Sequence, residues 1–279
     1  MKMTSDNLLT REVWEGNLDE ELAVIREIID DFPFVAMDTE FPGVVARPVG
    51  NYKLQSEHQY QTLRCNVDML KIIQLGLTLT DARGNLPLIG NFYCLWQFNF
   101  REFNLKEDLY AQDSIELLKH SGINFQANHE RGIDVHRFGE MLMVSGVVLS
   151  DKVKWLTFHS GHDFGYLLKI LTCQPLPEAE SDFFYVLSIY FPCIFDIKYL
   201  MKFTDNLHGG LSKLAEQLDV ARIGPQHQAG SDSLLTACAF FKLKQTYFIE
   251  SGLEQYIGVL YGLGNDAESD PQRPHTVHA

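Results

Sequence analysis

Paired cysteines are missing from this sequence. Its five cysteines (Cys65, Cys94, Cys173, Cys193 and Cys238) lie far apart, with no C-x-x-C pair among them. That argues against a zinc ribbon, a dithiol redox motif and a disulfide scaffold. Basic charge is scarce as well: 23 Lys and Arg stand against 37 Asp and Glu, a formal net charge of −14. A large, uniformly basic nucleic-acid surface does not fit that balance, although a local basic groove does. Apolar runs fall far short of a membrane span, and MKMTSDNLLTREVW has no apolar core of signal-peptide length. A reducing compartment, cytosol or nucleus, is the expectation.

What is present suits a single folded domain. The chain has 279 residues, of which 46% are hydrophobic and 12% aromatic, enough for a sizeable core. Residues 1–10 are polar and read as a flexible N-terminus; 11–264 read as the domain. The Pro-containing polar segment 265–279 reads as a disordered tail. Asn17 with Glu20 has the spacing of a capping box, and Leu18, Leu22, Ile25 and Ile29 share one helical face. FVAM (Phe34 to Met37) is a short apolar strand closed by Pro42-Gly43. KIIQLGLTLT (Lys71 to Thr80) and the segment ending in WQFNF (Trp96 to Phe100) complete an antiparallel meander with short turns. Helix is expected over about 107–146, from 163 onward, over about 178–190 and from Asp232 onward. Strands are expected at Lys154 to His159 and Pro192 to Phe195. Strands in a meander, then strand alternating with helix, predict a mixed α/β sheet with helices on its faces.

The informative chemistry lies where apolar elements end. The strand FVAM runs into Asp38 and Glu40, and a D-x-E at a strand end puts both carboxylates on one face. Two acids that close repel unless a cation or shared proton compensates, and hard divalent ions take carboxylate oxygen. The plain alternative is two acids facing water. Asp163 and Asp232 each sit near a helix start, where Asp serves as an N-cap. Asp196, at another strand end, reads as structural. His227 stands five residues before Asp232 in HQAGSD, on a loop that Gly230 lets fold back; an imidazole suits proton abstraction from an attacking water. The plain alternative is an exposed loop histidine. His159 and His162, in HSGHD, do not suit a zinc pair, because a strand exit hardly turns both toward one ion. Four acids at three distant places, each at the edge of a buried element, fit a two-metal centre for in-line phosphoryl displacement.

At this point the residues resemble the DEDD exonucleases of the ribonuclease H-like fold, in the subgroup with a histidine base. VAMDTEFPGVVARP (Val35 to Pro48), LKIIQLGLT (Leu70 to Thr78), WQFNF, YAQDSIELL (Tyr110 to Leu118), SGVVL, DFGYLLKIL, GPQHQAGSDSLLT and LYGLG resemble the Caf/Pop family of poly(A)-shortening nucleases. The resemblance runs from about residue 11 to 264. It implies a five-stranded mixed sheet, two divalent ions (Mg2+ or Mn2+) on Asp38, Glu40, Asp163 and Asp232, and His227 as general base. It also implies 3′-to-5′ removal of adenylates from mRNA as 5′-AMP. The implied partners are the poly(A) tail, a Not scaffold subunit, a Ccr-type second nuclease and antiproliferative adaptor proteins, with no membrane. One position departs from the family pattern: His162 stands where relatives commonly carry tyrosine. Two other readings remain open on the residues alone. One is a DNA-trimming exonuclease on the same fold. The other is a docking subunit of the Ccr–Not complex using apolar residues such as Met141, Leu142 and Met143, whose plain alternative is helix core.

Overall fold

A computed structural model of the chain describes residues 4–50, 52, 54–249 and 252–264. The expected tail, 265–279, and the first three residues lie outside them. The strands are β1 (Leu8–Val13), β2 (Phe34–Glu40), β3 (Gln74–Thr80), β4 (Leu88–Ile89), β5 (Phe92–Asn99), β6 (Lys154–Thr157) and β7 (Ile194–Asp196). Helices α1 (Leu18–Ile28), α2 (Gln55–Met69), α3 (Gln112–His120), α4 (Phe125–Arg131) and α5 (Val135–Met143) precede β6. After it come α6 (Gly161–Thr172), α7 (Glu180–Tyr190), α8 (Ile197–Leu200), α9 (Leu211–Gln217) and α10 (Ala229–Tyr247). The sheet runs β1-β5-β3-β2-β6-β7, with β4 paired to β5. β2, β3 and β5 are antiparallel neighbours, as expected, whereas β6 and β7 join parallel to β2. Among the described residues no helix is long and apolar enough to cross a membrane.

Two cores sandwich this sheet. On β2 the odd residues Val35 and Met37 join a cluster with α1, α2, α6 and α7; the even residues Phe34 and Ala36 join another with α10. Strand alternation therefore aims Asp38 and Glu40 toward the α10 side and Thr39 toward α6.

Five expectations change. The sheet has seven strands rather than five, and residues 8–10 are not loose: they belong to β1, which pairs parallel with β5. The polarity of LLTREV misleads because its charges are satisfied sideways. Arg11 is ion-paired with Glu21 at 2.6 Å, and Glu12 accepts hydrogen bonds from Gln97 and Asn99. The β2–β3 connection is not a short turn but carries α2, whose buried Tyr60, Leu63 and Val67 form a narrow apolar stripe among polar residues. The helical stretch 107–146 is three helices, interrupted at Gly122 (φ 99°) and Gly132 and restarted by caps from Asn124 and Asp134. Asn17 does occupy the N-cap position of α1, but its side chain accepts from Trp14 N–H instead of closing a box with Glu20.

Candidate metal centre

The site forms at the carboxyl ends of β2 and β6, where the N-termini of α6 and α10 converge. Asp38, Glu40, His227 and Asp232 line one cleft of about 540 Å³, together with Phe158, Lys213 and Arg222. Glu40, His227 and Asp232 each offer a ligand atom, and these atoms lie within 4.8 Å of one another. Asp163 does not line the cleft. It stands on the Thr39 side of β2, where its Oδ1 accepts the Thr39 N–H at 2.9 Å and the Thr39 hydroxyl at 2.6 Å. Its charge still reaches the cleft and raises the pKa of both Asp38 and Glu40.

Neither helix acid is an N-cap. α6 is capped in position by Ser160 and α10 by Gln228; Asp163 and Asp232 fall inside the first turns. Helix α10 thus starts three residues before its expected start. The loop reversal ahead of it comes not from Gly230, which is helical, but from Gly224 (φ 94°) and His227 itself (φ 62°). A left-handed non-glycine residue is uncommon and is held here by its surroundings. The His227 N–H donates to Asp232 Oδ2 at 2.7 Å, which explains the five-residue spacing between them.

Several contributors were not legible beforehand. Arg222 donates to Asp232 Oδ1 at 2.6 Å and to Ser212 Oγ at 3.1 Å, bringing a cation among the acids. Gln97 accepts the Gly230 N–H at 2.8 Å and donates to Gln228 Oε1 at 2.9 Å, tying the start of α10 to β5. Gly76 of β3 permits that approach: a Cβ there would lie 1.9 Å from the Ala229 carbonyl oxygen. An isolated Gly in the apolar strand was the available signal, since it marks close backbone approach. Asp196 is structural, as expected, but it has partners. It accepts from the N–H groups of His159, Lys198 and Tyr261 at 2.8, 2.9 and 3.0 Å. The rings of His159 and His162 lie against different neighbours, Tyr261 and Phe41, each at centroid distances above 5 Å (5.1 and 5.3 Å).

Electrostatics mark the cleft as a place that wants positive charge. Burial, then the neighbouring acids, push Asp38 well above the usual carboxylate range, with Arg222 opposing. The same causes raise Glu40 to about 8, and burial raises Asp163 to about 6 against the pull of its Thr39 hydrogen bonds. Carboxylates crowded until they hold protons are the donor set that hard divalent cations take.

The family model described as CAF1 family ribonuclease matches residues 13–140 and 144–240. The chain belongs to the CAF1 ribonuclease family. Among curated relatives, a probable CCR4-associated factor 1 homolog 7 of Arabidopsis thaliana is 62% identical over 264 residues, covering 94% of this chain and 96% of that protein. The structure of Schizosaccharomyces pombe Pop2p in its Mg2+- and Mn2+-bound form superposes with a TM-score of 0.87 at 52% identity, covering 91% of this CAF1-family chain and 99% of the other. The yeast CAF1 co-crystallised with the NOT1 MIF4G domain gives 0.78 at 34% identity, covering 94% and 100%.

Proposed function

We propose that this chain is a divalent-metal-dependent 3′-to-5′ exoribonuclease that shortens poly(A) tails and releases 5′-AMP, as the catalytic subunit of a Ccr–Not complex. The observation that carries the reading is the gathering of Glu40, His227 and Asp232 within 4.8 Å of one another in a cleft also lined by Asp38. The curated relative named poly(A) ribonuclease pop2, 52% identical over 255 residues, supports the substrate.

Asp38, Glu40, Asp163 and Asp232 would hold two ions, Mg2+ or Mn2+. Such ions, when bound, lower the pKa of water and stabilise charge on the departing oxygen of an in-line displacement. The protein's own residues supply the rest. A ring nitrogen of His227 accepts the proton of the attacking water, and its backbone bond to Asp232 holds it over the carboxylates. Arg222, held by Asp232 and Ser212, places a guanidinium in the cleft suited to phosphate oxygens. Phe158 provides an apolar wall for the terminal base. For assembly with a Not scaffold, a Ccr-type nuclease or adaptors, the surface offers apolar residues in the open. Leu142 is buried, but Met143 and Val144 are 37% and 58% exposed at the end of α5.

The test is a 5′-labelled RNA ending in about twenty adenosines, a length suited to a short single-stranded site. Wild-type protein in Mg2+ or Mn2+ is expected to shorten it stepwise from the 3′ end and stall at non-A sequence. EDTA and Asp38→Ala abolish the ladder. A folded wild-type protein that leaves the RNA intact in both metals would sink the reading and favour a docking role; shortening of oligodeoxyadenylate at the same rate would favour the DNA-trimming alternative.

A further inference from the structure

A second cleft of about 510 Å³ adjoins the first, and the two differ in charge. Four of the residues lining the first are acids or the histidine among them. Among the described residues, those lining the second include no Asp or Glu; they include Arg47, His58, His159 and Tyr261. In a chain with 37 acidic side chains against 23 basic ones, an acid-free basin of that size calls for an anionic or electron-rich occupant.

The divide between the clefts is one peptide wide. Phe158 lines the first and the next residue, His159, lines the second. Asp196 fixes that ridge from below, taking the N–H groups of His159 and Tyr261 on its two oxygens. His159 itself is left-handed (φ 58°), so its ring turns aside from the course of β6 and lies edge-on to Tyr261 at 5.1 Å. Lysines cap the same ridge. Lys198 Nζ lies 5.8 Å from the Phe158 ring centre and 5.5 Å from that of Tyr261, and Lys202 Nζ lies 5.2 Å from Tyr261. Aromatic faces interleaved with cations, leading away from a phosphodiester-cleaving cleft, are the elements by which single-stranded nucleic acid is held without sequence readout.

We propose that this ridge and the second cleft form the track for the RNA nucleotides beyond the first one upstream of the scissile bond. The proposal rests on the nuclease reading above. With the 3′-terminal nucleotide over Glu40 and His227, the next base crosses Phe158 and only those before it stack at Tyr261, where their phosphates meet Lys198, Lys202 and Arg47. The track confines positive potential to one strip, which lets a protein of net charge −14 hold an RNA end.

The experiment compares steady-state cleavage of a diadenylate with that of an oligoadenylate of about ten nucleotides, which spans both clefts. The proteins are wild type, Tyr261→Ala, and Arg47→Ala combined with His58→Ala, the last two positions lying away from the buried core. Wild type is expected to show a lower KM for the longer RNA. Both variants should raise that KM by about ten-fold, the effect of losing one stacked base or a phosphate contact, while diadenylate cleavage and kcat stay unchanged. Raising salt should erase more of the length advantage in wild type than in the Arg47 variant. Unchanged KM for the long RNA in the variants would assign the second cleft to a protein partner and overturn the track; so would a parallel loss on the diadenylate. Wild type that cleaves neither RNA overturns the nuclease reading and the track together, whereas wild type that cleaves both with equal KM overturns the track alone.

Discussion

Thr39 gives Asp163 two hydrogen bonds at one oxygen, from its backbone N–H and its hydroxyl, although the residues are 124 positions apart. The pair ties the end of β2 to the first turn of α6. It also aligns a carboxylate that does not line the cleft with those that do.

Replacing that hydroxyl should matter more for activity than for folding. Thr39→Val keeps the β-branched shape and the backbone bond but deletes the 2.6 Å contact. Stability should fall by about 1–2 kcal/mol. Divalent-ion affinity and cleavage rate should fall by about ten-fold or more, since ligand-orienting hydrogen bonds are worth that much. Thr39→Ser should restore both. Calorimetric Mn2+ titration beside poly(A) kinetics checks this; a Thr39→Ser protein as impaired as Thr39→Val would refute it.

The metal-free protein should lose stability as pH rises. Burial raises Glu40 to about 8, with neighbouring acids adding, and raises Asp163 to about 6, so the folded state binds protons that the unfolded state has already released above roughly pH 4–5. This contribution is fully present at low pH and lost as pH climbs through those raised values. Divalent ions replace the protons, so the Mn2+-induced rise in Tm should be larger at pH 8 than at pH 6. Thermal melts with EDTA and with Mn2+ at both pH values decide it, and an equal metal effect would count against cation binding at these acids.

His162 acts in the opposite direction. Burial lowers its pKa to about 4, its Nε2 has no hydrogen-bond partner, and its ring stacks on Phe41 at 5.3 Å. An imidazole kept neutral when folded but protonated when unfolded withdraws stability as pH falls below about 6.5. His162→Tyr, the residue that the family resemblance implies at this position, should therefore be the more stable protein at pH 5. The margin should be about 2 kcal/mol, shrinking toward zero above pH 7. Urea melts of both proteins across that range would expose a pH-independent difference if the reasoning is wrong.

Gly76→Ala should break the site from behind. The added Cβ would fall 1.9 Å from the Ala229 carbonyl oxygen, which is backbone and cannot swing away. Helix α10 must lift from β3, costing about 3 kcal/mol and displacing His227 and Asp232. Activity should be lost even at a temperature where circular dichroism shows the variant folded; full activity there would show that α10 tolerates the shift.

Local pattern determined much of this protein in advance. Strand alternation puts Asp38 and Glu40 on one face whatever surrounds them, because side chains repeat every second residue. The H-x4-D spacing is likewise a local matter, closed by the bond from His227 N–H to Asp232. The meander β2-β3-β5 and the mixed sheet followed from apolar runs and breaks. Amphipathic patterning failed where charge was balanced by a distant partner, as in β1, whose Arg11 and Glu12 meet Glu21 and Gln97. It failed too in α2, where Tyr60, Leu63 and Val67 give too narrow a stripe to stand out. Only the tertiary structure decided which partner each acid meets: Thr39 for Asp163, Arg222 for Asp232, three backbone N–H groups for Asp196. Packing decided as well that His159 and Tyr261, about a hundred residues apart in sequence, form one ridge. A sequence shows which groups must be satisfied when buried, while the satisfying contact comes from packing between segments that no local spacing relates.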